Sequence, residues 1–563
     1  MILGYSPADI SRIEAPLVRQ ADAHRGADAL MRDAAYALQL HTHRLLNGKI
    51  SAVTGAKFQV LPVRQRRILV LAGAGNNGGD GLYAAAYLAK RGYPVTVLPL
   101  TGRLHERARA AASAAHVRFW PVLENSAQTK QHLTPTSPPF LARATLTGAE
   151  NRIDVDEALT KIRQWQPVEI IDAITGIGAK PPLREPAAGL VQALRRQILE
   201  SLAPPLVVAC DNPSGLNLET GEASQVLPAD LTLTMGAPKA GMLVAKGAEL
   251  CGRIEVHDFA LPTAEMTPLL GQIEAADVAQ YWPWPVHHCH KYSRGVLGVC
   301  AGSATYPGAG ILVSTAARGA GSAFMRYLGP ADMHPRVMAA VPEAVLRPGQ
   351  TQALVIGPGL DPGRDSHREK MLETWWGRRK GEPVVLDAGV LELVKNDIAT
   401  DASCLLTPHA GEACALAQRL GYRVTRAEIE AEPLHWATTL AAETGATVLL
   451  KGDTTVIAPP QGLPLTMTHG TAALATAGSG DVLAGIIGHL LASTTTPSWD
   501  GKAVAMAAAV GAWVHAQAGR YAATHLHPTP AATNLVSALA PVLTELRRWP
   551  GGAENGKLRL NRE

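Results

Sequence analysis

Short, uninterrupted apolar runs ending in Gly or Asp recur along this chain, each followed by a stretch rich in Ala and Leu. In the front half the runs are 68–71, 95–98, 168–171, 206–210 and 231–235. In the back half they are 296–300, 353–356, 384–386, 404–406 and 447–450. Runs without alternation suit strands covered on both faces, so each half predicts a mostly parallel sheet flanked by helices. Helices are expected over 84–90 and 189–199 in front, and over 314–318 and 482–491 behind. The fold class is therefore α/β, built as two three-layer domains. Residues 126–150 break the rhythm with Thr and Pro and read as a surface insertion. A turn-rich segment around 261–285, with Trp282-Pro283-Trp284-Pro285 near its end, neither continues a helix nor fits a central strand. The chain thus divides into a front domain 1–262, a linker 263–289, a back domain 290–548 and a loose charged tail 549–563.

Composition narrows the function classes. Hydrophobic residues make up 47% and charged residues 18% of the 563, which is a globular balance. A net charge of +4 without a cluster of Lys and Arg among aromatics gives a nucleic-acid role little support. Arg64, Arg66 and Arg67 read as a solvated approach to the first strand. The six cysteines show no CxxC spacing and suit reduced thiols better than a disulfide framework. His287-His288-Cys289-His290 has no second ligand cluster at zinc-finger spacing. The first residues carry no basic region followed by an apolar stretch, and no apolar run reaches the ~20 residues of a membrane span. A cytoplasmic protein without membrane attachment is the expectation. Helical bulk and apolar content are compatible with a homo-oligomer.

Chemistry concentrates at strand ends. Gly73-Ala74-Gly75-Asn76-Asn77-Gly78-Gly79-Asp80-Gly81 follows the first run directly. A glycine loop between strand and helix lets backbone N–H groups approach a phosphate at the helix N-terminus. It lacks the Gly-Lys-Ser/Thr of a P-loop and the spacing of the Rossmann fingerprint. Asp172 precedes Gly176-Ile177-Gly178, and Asp211 precedes Asn212-Pro213-Ser214-Gly215. Ligands of open parallel sheets bind beyond the carboxyl ends of strands. Asn77, Asp172 and Ser214 are thus candidate oxygen donors to a cation, with Asp211 facing a substrate. Each Asp taken singly also suits a helix N-cap.

In the back half, Gly478-Ser479-Gly480-Asp481 opens an apolar helix. Free N–H groups and the positive helix end suit a phosphate, and Asp481 beside them is a candidate general base. It equally suits a first-turn residue favoured by the helix dipole. Lys451-Gly452-Asp453-Thr454-Thr455, Thr407-Pro408-His409-Ala410-Gly411-Glu412 and Gly357-Pro358-Gly359 end further strands on the same expected ligand edge.

These motifs resemble a known family pair. GAGNNGGDG, DAITGIG, DNPSGLNLETG and Thr234-Met235-Gly236-Ala237-Pro238-Lys239 resemble the NAD(P)H-hydrate epimerase domain, over about 15–261. That resemblance implies a Rossmann-like domain with Asn76, Asn77, Gly78, Gly79, Asp80, Gly176, Ile177, Gly178, Ala179, Lys180, Pro181, Pro182 and Asp211 at the hydrated nicotinamide nucleotide. It also implies a potassium ion on Asn77, Asp172 and Ser214, and a catalytic Asp211. HKYSRG, Gly302-Ser303, YPGA, VIGPGL, VVLDAG, LLTPHAGE, LLKGDTTVIA and ATAGSGDVLAG resemble the ribokinase-like ADP/ATP-dependent NAD(P)H-hydrate dehydratase, over about 291–546. Here the resemblance implies Ala309, Gly359, His409 and Asp481 at the substrate, with Asp481 catalytic. Lys451, Gly452, Asp453, Thr454, Thr455 and Gly480 would meet the adenine nucleotide, ADP with Mg2+. The substrates implied are NADHX and NADPHX, the hydrated forms of NADH and NADPH.

The chain departs from the family pattern in three places: Asn212, Gly389 in place of a second Asp, and Gly470-Thr471-Ala472-Ala473 before Gly478-Ser479-Gly480-Asp481. Two other readings remain: a ribokinase-like kinase of a small alcohol, and an epimerase fused to a non-catalytic nucleotide-sensing module.

Overall fold

The computed structural model describes residues 1–48, 61–124, 152–468 and 470–549. The chain forms two compact units, Gly4–Pro268 and Leu269–Glu563, the latter also holding Met1–Leu3.

The front unit is built on a seven-stranded parallel sheet. Its strands lie in the order Arg253–His257, Leu231–Met235, Leu206–Cys210, Glu169–Ala173, Ile68–Ala72, Val95–Pro99, Arg118–Phe119. Ile68, Val70 and Ala72 pack with helices Ala29–Leu46 and Asn76–Lys90, whereas Leu69 and Leu71 pack with Val155–Trp165 and Ala187–Leu199. Both faces are covered, which is why the strand is apolar at every position. The chain moves outward from Ile68–Ala72 to Val95–Pro99, then returns to its other side with Glu169–Ala173. That reversal opens a crevice at the carboxyl ends of the two strands.

The back unit carries a ten-stranded sheet in the order Ile2–Gly4, Leu270–Gln272, Leu465–Met467, Thr455–Ala458, Thr447–Leu450, Cys404–Leu406, Val384–Leu386, Ala353–Ile356, Val296–Cys300, Phe324–Tyr327. From Phe324–Tyr327 to Thr447–Leu450 all pairs are parallel, and Thr455–Ala458 runs antiparallel to both neighbours. Leu297, Val299, Val355 and Val385 pack beneath helices Pro307–Ala320, Ser479–Ser493, Gly501–Tyr521 and Ala532–Arg548. Helices Asp365–Trp376 and Pro433–Thr444 meet the sheet as well. Helix Ser479–Ser493 lies so close that a Cβ on Gly485 would stand 2.4 Å from Val313 O, and one on Gly488 2.5 Å from Val355 Cγ2. The strand order reverses beside Val296–Cys300, giving this sheet its own crevice.

Several expectations are corrected. The segment read as a linker over 263–289 is largely part of the back unit. Leu270–Gln272 is a strand of its sheet, and Ile273, Val278, Ala279 and Trp282 are buried in its core. Their apolar side chains outweigh the nearby prolines, of which Pro268 precedes and Pro283 and Pro285 follow helix Ala275–Tyr281. The division lies at Pro268, and the first three residues belong with the back half. Arg66 is buried rather than solvated: it donates to Leu61 O (2.6 Å), Leu46 O (3.3 Å) and Asn47 Oδ1 (3.0 Å), closing the end of helix Ala29–Leu46. The insertion over 126–150 and the tail beyond Trp549 lie outside the described residues. All six cysteines are free, with Cys210, Cys251, Cys300 and Cys404 buried. Among the described residues no helix is long and apolar enough to cross a membrane.

Glu169 opens its strand fully buried, with Thr42 beside it and no well-formed hydrogen bond to either carboxyl oxygen. Burial pushes its pKa up to about 8, the charge of Asp230 adds to this, and Thr42 partly offsets it. The folded state therefore keeps a proton that the unfolded chain has already released. Stability should fall as pH rises from the ordinary carboxylate range toward about 8. Glu169→Gln is expected to flatten that decline in thermal unfolding between pH 5 and 9; an unchanged slope would contradict the assignment.

Candidate active sites

In the front unit the glycine segment is shorter as a loop than expected, because helix Asn76–Lys90 already contains Asn76 to Asp80. Close approach dictates its glycines. A Cβ on Gly73 would lie 1.9 Å from Ile174 O, one on Gly78 2.0 Å from Gly73 O, and one on Gly81 2.5 Å from Ala173 Cβ. This packing presses the helix start against the end of strand Glu169–Ala173.

Asn77, Asp172 and Ser214 meet there around the Thr175 carbonyl. Asp172 accepts from Ser214 N (2.8 Å), Ser214 Oγ (2.6 Å) and Ile174 N (3.2 Å). Ser214 Oγ accepts from Thr175 N (2.9 Å), and Asn77 Nδ2 donates to Thr175 O (2.9 Å). Asn77 Oδ1 is buried without a hydrogen-bond partner among the described residues. Burial raises the pKa of Asp172, although its bonds to Ser214 and Ile174 oppose the rise. An orphaned oxygen beside a buried carboxylate is a donor set that fits a monovalent cation.

Asp211 stands at the next strand end with φ 64°, a left-handed conformation that Asp tolerates better than most side chains. Its Oδ1 pairs with Lys239 Nζ and accepts from Met235 N (3.1 Å). Lys239 is 1% exposed and also donates to Thr234 Oγ1 (2.9 Å). A Cβ on Gly176 would lie 3.3 Å from Asn77 Cβ and 3.9 Å from Asp211 Oδ2, so the second oxygen faces the Gly176 loop. Ile177 is partly buried, while Gly178, Ala179, Lys180, Pro181 and Pro182 form an exposed rim. Asp80 is buried; desolvation, then the charges of Asp211 and Glu14, hold its carboxyl well above the usual range. Gly79 packs instead against Met31 and His105.

The back unit forms a pocket of about 460 Å³ lined by Tyr306, Ala309, Gly359, Ala388, Gly478 and Asp481, among others. Gly359, at φ 68°, approaches so closely that a Cβ would sit 2.6 Å from Ala309 Cβ. Ser303 Oγ secures this turn by donating to Gly359 O at 2.7 Å. Gly478 caps helix Ser479–Ser493 at φ 84° and contributes no side chain to its first turn. Desolvation pushes the pKa of Asp481 up to about 7, the charge of Asp387 adds to this, and Lys451 opposes it.

Lys451 reaches under that turn. Its Nζ is 3.0 Å from Asp387 Oδ1 and 3.9 Å from Glu412 Oε2, and a Cβ on Gly480 would lie 3.5 Å from it. Burial opposes its charge, yet Asp387, Glu412 and Asp481 together raise its pKa. Gly452 and Asp453 form the turn that follows, and Thr454 and Thr455 are buried. His409 does not line the pocket. Its Nδ1 accepts from Gly411 N (3.0 Å) and Glu412 N (3.2 Å), capping helix Ala410–Arg419, and it bridges to Lys451 along the strand ends. Among the described residues no group of three or more His, Cys, Asp or Glu side chains is gathered for a metal.

Sequence reasoning missed Lys239 and Asp387 as site members. Lys239 had a signal, since a lysine inside an apolar stretch must find a buried partner. Asp387 ends a strand just as Asp172 and Asp211 do. The departure at Gly389 has a steric reason: a Cβ there would lie 2.0 Å from Leu360 O.

Comparison with known proteins agrees with this division. Residues 297–541 match the NAD(P)H-hydrate dehydratase family, and 27–241 match the YjeF-related protein N-terminus. A bifunctional NAD(P)H-hydrate repair enzyme of Mycobacterium tuberculosis is 36% identical over 500 residues, covering 87% of this chain and 89% of the relative. Its counterpart in Mycobacterium leprae is 35% identical over 559 residues, covering 96% and 98%. That of Salinibacter ruber is 31% identical, covering 86% and 88%. Among solved structures, the ADP/ATP-dependent NAD(P)H-hydrate dehydratase of Bacillus subtilis is 25% identical, covering 49% of this chain and 99% of that one at a TM-score of 0.43.

The fold and its two strand-end sites define a two-domain α/β enzyme. The chain belongs to the family of bifunctional NAD(P)H-hydrate repair enzymes, whose front half is an epimerase and whose back half is a dehydratase. The whole-chain relatives disfavour a lone small-molecule kinase and a silent back module.

Gly389→Asp would place a side chain at that position. With Leu360 O so near, it is expected to destabilise the back unit by about 1–3 kcal/mol in denaturant unfolding. Unchanged stability would show that the loop yields freely.

Proposed function

We propose that the front site exchanges the C6 epimers of NADHX and NADPHX, while the back site dehydrates the S epimer to NADH or NADPH at the expense of ADP. The observation that carries this reading is Asp481, a carboxyl with its pKa near 7 in the first turn of a helix that has no side-chain cap, on the wall of a ligand-sized pocket.

In the back site the C6 hydroxyl oxygen attacks the β-phosphorus of ADP. The bond from that phosphorus to the bridging oxygen breaks, AMP leaves with the electron pair, and Asp481 takes the hydroxyl proton. The N1 lone pair then expels phosphate from C6, and loss of a C5 proton closes the ring double bond. Ala309 and Gly359 shape the wall against the nicotinamide, and His409 bounds the neighbouring strand end. Lys451, with the turn Gly452, Asp453, Thr454 and Thr455, meets the nucleotide phosphates beside Gly480. Mg2+ would arrive on those phosphates and neutralise their charge.

In the front site Asp211 takes the C6 hydroxyl proton as the C6–N1 bond opens to an aldehyde and passes it to N1, and both steps reverse when the ring closes on the other face. Lys239 and Met235 N fix one carboxylate oxygen, which leaves Oδ2 for the substrate. Asn76 to Asp80 and Gly176 to Pro182 border the nucleotide. Asn77, Asp172 and Ser214 would hold potassium, supplying a fixed positive charge beside the reacting ring.

Asp481→Asn is expected to slow dehydration of the pure S epimer by at least about 100-fold. ADP binding measured by calorimetry should be retained. In the wild type, kcat/KM should rise with pH and level off above about 7, because only the ionised carboxylate accepts a proton. Unchanged turnover in the variant would exclude the base role.

A further inference from the structure

Ser479 begins the helix whose first turn faces the phosphoryl group in the proposed dehydration. A serine at the N-cap would satisfy nearby backbone N–H groups with its own hydroxyl, but Gly478 holds that position and Ser479 is the first helical residue. Here the hydroxyl is engaged elsewhere. Ser479 Oγ lies 3.1 Å from Nε2 of His515, a buried residue on helix Gly501–Tyr521. Ser479 is itself 7% exposed, so the pair lies behind the turn rather than in the pocket. Ser479 N donates to Thr476 O (3.2 Å) and Val482 N to Gly478 O (3.1 Å), so Gly480 and Asp481 supply the remaining donors of the turn.

The surroundings keep this contact a neutral hydrogen bond. Burial pulls the imidazole pKa down to about 4, the bond to Ser479 partly resists, and the charge of Lys451 lowers it further. A neutral imidazole has one donor and one acceptor nitrogen and can hold a hydroxyl without adding charge behind the turn.

Building on the dehydratase reading of the back site, we propose that His515 is a positioning residue: by tethering Ser479 Oγ, it fixes the first turn of the helix so that the N–H groups of Gly480 and Asp481 face the transferring phosphoryl group. His515 touches neither substrate nor nucleotide. It acts on turnover through Ser479, a role that neither the GSGD motif nor the pocket lining reveals.

The test is a double-mutant cycle in the full-length chain, with NADHX, ADP and Mg2+. Ser479→Ala and His515→Leu should each lower the dehydration kcat by about 10- to 100-fold, as misplacement of a reacting group does, with the KM for ADP changing far less. The double variant should lose no more than the worse single variant, and His515→Asn should recover part of the rate. If His515→Leu does not fold, Ser479→Ala and His515→Asn alone carry the comparison. Wild-type kcat in the Ser479 and His515 variants overturns the proposal. So does a double variant whose loss is the product of the single losses, with thermal midpoints falling in step. Absence of ADP-dependent dehydration in the wild type would instead overturn the dehydratase reading, and this proposal with it.

Discussion

Backbone packed directly on backbone at the carboxyl ends of two parallel sheets sets the geometry of both sites. Gly73 and Gly78 let the start of helix Asn76–Lys90 sit against the end of the neighbouring strand. In the back unit Gly359 meets Ala309 and Gly389 meets Leu360 O, which closes the pocket around Asp481. A side chain at any of these positions would separate loops whose side chains must converge. These glycines are therefore steric requirements first, and their service to a ligand follows from the crevice they permit.

Charge is then arranged inside that frame. Each site places a carboxylate at a strand or helix end with a lysine nearby: Asp211 with the buried Lys239, and Asp481 near the partly buried Lys451. The two lysines do different work. Lys239 bonds one oxygen of Asp211 directly and fixes its orientation. Lys451 bonds Asp387 instead, so Asp481 keeps a pKa near 7 and can exchange protons at neutral pH. Among the described residues no side chain bonds the Asp481 carboxylate directly, an arrangement of the kind that sites tuned for proton transfer hold at some expense of stability.

Much of this was legible in the sequence. The apolar runs mark the central strands to within a residue or two, because a strand buried on both faces is apolar at most positions. The motifs at their ends fall at the crevice of each sheet, where the strand order reverses. What escaped depends on contacts distant in sequence. Lys239 becomes a site residue only because strand Leu231–Met235 lies beside Leu206–Cys210. His409 reads as a substrate contact, yet its Nδ1 serves as a helix cap, which no local pattern reveals. The segment before 290 reads as a linker because its prolines stand out. Its few apolar side chains decide otherwise by adding a strand to the back sheet and packing into its core.

The central claim is that one chain holds two independent activities. It is tested most directly by supplying an equal mixture of the R and S epimers of NADHX, with Mg2+, and following NADH absorbance with and without ADP. The account predicts recovery of the whole mixture, dependent on ADP and faster than spontaneous epimerisation. Recovery that stops once the S epimer is spent, or that proceeds equally without ADP, would contradict it.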